Sequence, residues 1–297
     1  MGWPVEPAAR RAIDLMLNIP GTSDEQRTWY EFMKPLFLDR DSRDVFEMPA
    51  QYMFKDIPKI EDVPQGDYVA WTVAQLDRHG IARAMVGLDG SPTPNLEAVR
   101  RYPDRFFGSY QANPNRGMDE VRTIARLHRE LGIKAVTAFP SGLCPQVPLD
   151  DKKWFPIYAK CVELDLPVCC CVGVPGPRLP MAPQKVELID EVCWFFPELK
   201  FVMRHGAEPW TDLAVKLMLK YPNLSYSTSA FAPRHYPRAI VDFANTRGAD
   251  QVLYAGYFPM GLSLDRIFRE LPEVPFRDHV WPKFLHANAT RIFKLES

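Results

Sequence analysis

No stretch of the chain approaches the ~20 consecutive apolar residues that a membrane-spanning helix requires, so insertion into a bilayer is not expected. Basic charge is not in excess: 36 Lys and Arg face 37 Asp and Glu, for a formal net charge of -1. With no run of like charges either, the chain lacks the cationic surface that phosphate backbones demand, and nucleic acid is set aside as a partner. No G-x-G-x-x-G follows the first apolar segment and no P-loop occurs, which disfavours nucleotide and redox-cofactor chemistry. H-E-x-x-H and metal-spaced C-x-x-C pairs are missing, and so is a G-x-S-x-G elbow around any serine. A disulfide framework is not indicated by the six cysteines, at 144, 161, 169, 170, 171 and 193. Three are consecutive in an apolar run, where a strand sends neighbours to opposite faces, and they suit free thiols in a reducing compartment. Near the amino terminus Arg10 and Arg11 precede a short apolar run broken by Asp14 and Asn18 and ended by Pro20, without a small-residue cleavage site. The expectation is a cytoplasmic protein.

What is present fits a globular chain of enzyme size, with 46% hydrophobic and 25% charged residues. Apolar segments of strand length alternate with amphipathic segments of helix length. Strands are expected at Ala12 to Leu17, Ala82 to Gly87, Phe106 to Gln111, Ile133 to Ala138, Pro167 to Val172, Lys200 to Arg204, Leu224 to Ser229 and Gln251 to Ala255. Helices are expected at Asp67 to His79, Leu96 to Tyr102, Met118 to Leu131, Trp154 to Leu164, Gln184 to Phe196, Trp210 to Tyr221 and Arg238 to Thr246. In RYPDRFFG, FFPELKFV and KYPNLSYS a helix end closes on an aromatic and a proline before the next strand, because proline cannot continue a helix. Eight such units predict an α/β chain folded as a (β/α)8 TIM barrel, a single domain over residues 1–297. Gly21 to Gly66 is too long for a βα turn, and its Trp29, Tyr30, Phe32, Phe37, Phe46, Tyr52 and Phe54 suggest an inserted lid or subunit contact.

In such barrels the loops leaving the carboxyl ends of the strands build the active site. This gives weight to LKFVMRHGAEPW, where an apolar segment ends in His205 followed by Gly206. Imidazole titrates near neutral pH and serves readily as acid or base. Glu208, three residues on, is placed to orient His205 or to act as a second carboxylate; a helix-start acid is the plainer alternative. Arg178 in GVPGPR could hold a substrate carboxylate bidentately, or be an ordinary surface arginine. Ser227 and Ser229 share a strand face and could donate hydrogen bonds inside the barrel. The same alternation sends Arg204, next to His205, toward the helices or a rim salt bridge as a structural residue, while Gln111 and Lys134 are weaker candidates for the lumen.

Six segments carry a resemblance: YPDRFFGSYQANP, ELGIKAVTAFP, LDLPVCCCVGVPG, FPELKFVMRHGA, VLYAGYFP and FLHANATRIFKL. Together they resemble the amidohydrolase superfamily, in the branch that includes aminocarboxymuconate-semialdehyde decarboxylase, along nearly the whole chain. The resemblance implies the TIM barrel, a homodimer, and one divalent metal held by two histidines of D-x-H-x-H on the first strand, histidines on the fifth and often sixth strands, and an aspartate on the eighth. Here Met16 and Asn18 stand at the first two positions, Cys171 at the third and Tyr257 at the last, and only His205 of the sixth strand survives. One imidazole, one thiol and an amide make a poor tetrahedral set without a carboxylate, so no metal and no other cofactor is expected. Asp14, whose counterpart supports the metal shell, is left without an evident partner.

These substitutions predict a metal-independent enzyme performing hydrolase or decarboxylase/lyase chemistry on a small, partly apolar organic acid, ester or lactone. His205 would be the acid/base, with Tyr257 as donor, Cys171 as nucleophile or polar liner and Glu208 beside them. Met16, Asn18, Arg178 and Ser227 would line the substrate. Two alternatives stay open: a catalytically degenerate barrel that binds a ligand or partner, and an atypical metal-dependent hydrolase using Cys171 and His205.

Overall fold

Short runs rich in β-branched, aromatic and small residues form eight strands: β1 (Ala12–Asp14), β2 (Ile81–Gly87), β3 (Phe106–Gln111), β4 (Ala135–Ala138), β5 (Val168–Cys171), β6 (Phe201–Arg204), β7 (Leu224–Ser227) and β8 (Val252–Leu253). The computed structural model describes residues 2–22, 26, 28–44, 48–55, 57–60 and 66–295. All eight strands pair parallel, in sequence order, within one sheet. The two edges of that sheet are drawn together by a parallel bridge between Leu17 and Phe258. The Asn18 N–H donates to the Phe258 carbonyl at 3.1 Å, and the Gly256 N–H donates to Asp14 Oδ1 at 2.8 Å. This is the expected (β/α)8 barrel.

Strand alternation sorts the side chains. Ile13, Leu15, Met85, Phe107, Ala135, Cys169, Val202, Leu253 and Ala255 fill the lumen, closed at the amino-terminal end by Ala289, Ile292 and Phe293 of the helix Asn288–Phe293. The opposite parity packs against the helices. Helix Met118–Leu131, for example, buries Val121, Ile124 and Leu127 at helical spacing. Its expected bounds are matched, as are those of Arg238–Thr246.

Three local departures have physical causes. The first strand ends at Asp14 rather than Leu17, because the Asp14 carboxylate accepts the Met16 N–H at 2.9 Å and turns the backbone before pairing resumes at Leu17. The helix expected from Gln184 begins at Ile189, preceded by two short 3-10 turns between which Lys185 is extended. Helix Leu264–Glu270, capped by the Ser263 hydroxyl on the Arg266 N–H, was not anticipated.

The segment after β1 contains a 3-10 turn at Glu31–Leu36, a helix at Arg40–Asp44 and a second 3-10 turn at Gln51–Met53. Its Met33 and Phe37 pack with Leu179 of the loop after β5, supported by Tyr30, Leu36 and Phe139. The insertion therefore lies across the carboxyl ends of the strands. Phe46 falls outside the described residues.

Candidate functional site

At that end of the barrel lies a cavity of about 1060 Å³. Its floor comes from the last lumen-facing residues of the strands: Gly87, Ser109 and Gln111, Thr137, Cys171, Arg204 and Tyr257. Its roof is largely apolar, with Trp29, Tyr30, Phe32, Met33, Met48, Met53 and Phe54 from the insertion and Phe231 and Met260 from later loops. Of the residues singled out in the sequence, Met16, Asn18, Cys171, His205, Glu208 and Tyr257 line it; Arg178 and Ser227 do not.

His205 is held by an unusual turn. It leaves β6 with φ of +64°, followed by Gly206 at +88° and Ala207 at +56°. This left-handed run breaks strand alternation and turns the imidazole back over the cavity. The His205 N–H donates to Ser229 Oγ at 3.2 Å, and the same hydroxyl lies 3.3 Å from Nδ1. Nε2 is thus the nitrogen left for the cavity, and a hydroxyl, being both donor and acceptor, accommodates either tautomer. Burial, reinforced by the neighbouring Arg204 guanidinium, pushes the imidazole down to about 3, so the ring is uncharged.

Edge-on to that ring, at 5.7 Å and 78°, stands Tyr257. Its phenol stacks on Phe54 of the insertion at 5.5 Å, and burial raises it above its ordinary value, keeping the O–H as a donor. Burial also pushes the Cys171 thiol up to about 11 against the opposing pull of Arg204. Of the two roles expected of Cys171, nucleophile or polar liner, a thiol held protonated by burial favours the liner. Asn18 is partly committed, since its Oδ1 accepts from Asn95 Nδ2 at 3.1 Å.

Several expectations are overturned. Glu208 is exposed at the mouth, and Ser229, not Glu208, orients His205. The Arg178 guanidinium is tied to the insertion, pairing with Asp39 at 2.8 Å and Asp41 at 3.4 Å over the Tyr52 ring. It latches the loop after β5 rather than meeting substrate. Ser227 is buried beneath the floor and donates to the Met203 carbonyl at 3.1 Å. Asp14, expected to be without a partner, accepts from the Gly256 and Met16 N–H groups and from the Tyr254 hydroxyl at 3.4 Å, and so clasps β1 to the end of β8.

Arg204 is the largest revision. Val202 fills the lumen, so period-2 alternation puts Arg204 there too; it is His205, outside the strand, that escapes the alternation. Arg204 is 8% exposed and lines the cavity. Among the described residues its guanidinium has no hydrogen-bond or ion-pair partner. Thr137, Ser109 and Gln184 are further polar lining groups; counting by twos from the lumen residues Ala135 and Phe107 would have found the first two. Among the described residues no three His, Cys, Asp or Glu side chains group as a metal site.

The barrel with its covered mouth has solved counterparts. A TIM-barrel protein of Bordetella bronchiseptica superimposes with a TM-score of 0.74 at 21% identity, covering 95% of this chain and 98% of that one. 5-Carboxyvanillate decarboxylase of Novosphingobium aromaticivorans, solved with manganese and 4-hydroxy-3-methoxy-5-nitrobenzoic acid, gives 0.65 at 18% identity, covering 99% and 98%. In sequence, 125 residues are 29% identical to 2-keto-4-carboxy-3-hexenedioate hydratase of Sphingobium sp., a match spanning 36% of this chain and 37% of that enzyme. The amidohydrolase family model matches residues 28–295, nearly the whole barrel, and the chain belongs to the amidohydrolase family.

Proposed function

We propose that this chain is a metal-independent enzyme of the amidohydrolase fold that acts on a small, partly apolar organic acid or its ester or lactone, by decarboxylation, another lyase reaction or hydrolysis. The observation that carries this reading is the uncharged His205, fixed by Ser229 and set edge-on to Tyr257 on the floor of an apolar-roofed cavity. His205 Nε2 takes a proton from, or returns one to, the reacting carbon or an attacking water, while the Ser229 hydroxyl accepts a hydrogen bond from Nδ1–H. The Tyr257 O–H donates to the carbonyl or enolate oxygen on which charge develops. The roof supplies the apolar contacts that orient the rest of the substrate.

The names of the similar proteins support the substrate class. Both 5-carboxyvanillate decarboxylase and 2-keto-4-carboxy-3-hexenedioate hydratase are named for carboxylic acids. The manganese of the decarboxylase is not carried over. A thioether at Met16, an amide at Asn18 already bonded to Asn95, a protonated thiol at Cys171 and a protonated phenol at Tyr257 form a donor set that does not fit a divalent ion. The proposal includes a cytoplasmic homodimer, to be checked by light scattering of the purified protein and by fractionation of the source cells.

The test is a screen of hydroxylated benzoates, unsaturated dicarboxylates and lactones for carbon dioxide release, hydration and ring opening. Activity should survive exhaustive chelation and should fall by about 10³-fold or more in His205→Asn, with the circular dichroism spectrum unchanged. Activity lost on chelation and restored by manganese would return the chain to metal chemistry. Full activity in His205→Asn would remove the role assigned to the imidazole.

A further inference from the structure

We propose that the Arg204 guanidinium is the receptor for a carboxylate of the ligand, supplying on the cavity floor the fixed positive charge that the metal position of the family would otherwise provide. This deepens the preceding reading and rests on it in taking the cavity as the substrate site, but not on any reaction being catalysed there.

The argument begins with alternation. Val202 occupies the lumen, and two residues on, Arg204 reaches the cavity floor opposite Cys171 on the neighbouring strand, with which it is in register. At 8% exposure the side chain is more than nine-tenths buried, yet among the described residues no carboxylate or carbonyl receives its protons. A buried cation without a counter-ion is unfavourable, and proteins seldom retain one unless an anion completes it. The groups around it do not. Cys171 and Tyr257 are protonated and His205 is uncharged. Asp14 is the carboxylate that feels Arg204 most directly, but its oxygens are taken by the Gly256 and Met16 N–H groups and the Tyr254 hydroxyl, and it forms no ion pair with the guanidinium. Glu208 stands out at the exposed mouth.

The other cavity arginines differ. Arg234 and Arg266 converge on Glu270, at 2.5 Å and 3.0 Å, so each has a carboxylate partner. Arg204 alone among these three lacks a carboxylate. A guanidinium binds a carboxylate through two parallel N–H···O bonds, which fixes the orientation of the acid as well as its charge. An acid so held presents its adjoining carbon to the His205 and Tyr257 side of the floor and its apolar remainder to the roof.

The experiment measures binding, not turnover, by titration calorimetry of the full chain with benzoate, fumarate and benzamide; benzamide copies the shape of benzoate without its charge. At least one acid should bind saturably, and benzamide should bind about thirtyfold more weakly than benzoate, the loss expected when charge-assisted hydrogen bonds are removed. Arg204→Gln should erase the preference for the acid while leaving benzamide affinity unchanged, with Arg204→Lys between the two. His205→Asn should keep acid affinity, so that loss of turnover there and loss of binding at Arg204 are separate results. Absence of saturable binding by either acid, equal affinity for benzoate and benzamide, or an Arg204→Gln variant that is folded and still prefers the acid would each overturn the proposal.

Discussion

At the scale of single residues, the site is governed by which groups can carry charge. His205 is pushed down to about 3 by burial first and by Arg204 second, so its imidazole is neutral near pH 7. A histidine above its folded-state value gives no ionisation step around neutrality. In a proton NMR titration from about pH 5 to about 8, the ring resonance that disappears in His205→Asn should therefore stay at its neutral position, whereas an unperturbed histidine would move with a midpoint near 6.5. A midpoint between 6 and 7 for that resonance would contradict the electrostatic account. The replaced metal-ligand positions Met16, Asn18, Cys171 and Tyr257 are legible in the sequence, but the lowered His205 is not: the sequence offers an imidazole titrating near neutrality, and only the fold buries it beside Arg204. The place of Arg204 is not legible in the sequence: alternation carried through the Arg204–His205 step sends it outward, and nothing in the residue types announces that His205 adopts φ +64°.

Among the elements, the turn after β6 does the most to place the site. His205, Gly206 and Ala207 are left-handed in succession, and a Cβ on Gly206 would meet the Phe231 ring at 2.3 Å. Gly206→Ala should therefore destabilise the fold by about 2–3 kcal/mol, from left-handed strain plus displacement of Phe231, and should lower turnover by moving the imidazole. Gly132, left-handed at φ +62° and ψ 34° with open space where a Cβ would stand, provides the comparison. Gly132→Ala should cost about 1 kcal/mol in urea denaturation and leave turnover intact. Equal losses in the two variants would mean that the Phe231 contact is immaterial. The insertion shows the limit of pattern reading at this scale. Its aromatics pointed to a cover, but the latch of Arg178 on Asp39 and Asp41 joins positions about 139 residues apart, and no local spacing reports such a pair.

For the whole molecule, the closing seam of the barrel is the property that sequence conceals most fully. The repeating βα pattern predicts eight parallel strands, and helix ends at proline and aromatic residues set their boundaries well. The pattern is silent on how β1 meets β8, because that seam joins residues about 242 positions apart through the Leu17–Phe258 bridge and the Asp14 carboxylate. Asp14 is wholly buried, and burial raises it from 3.8 to about 6 in spite of three hydrogen-bond donors. A raised acid binds its proton more tightly when folded, so the stability linked to protonated Asp14 is fully present below about pH 4 and is lost as pH rises to about 6. The difference is worth about 3 kcal/mol. Asp14→Asn keeps an acceptor for the Gly256 and Met16 N–H groups and removes the ionisation. Relative to this variant, the natural chain should lose about 2.5 kcal/mol of urea stability between pH 4 and pH 7, with the two curves drawing together at the acid end. A difference that stays constant over that range would show that the seam holds Asp14 at its ordinary acidity. The clasp would then owe nothing to the balance between burial and hydrogen bonding that closes the barrel above its site.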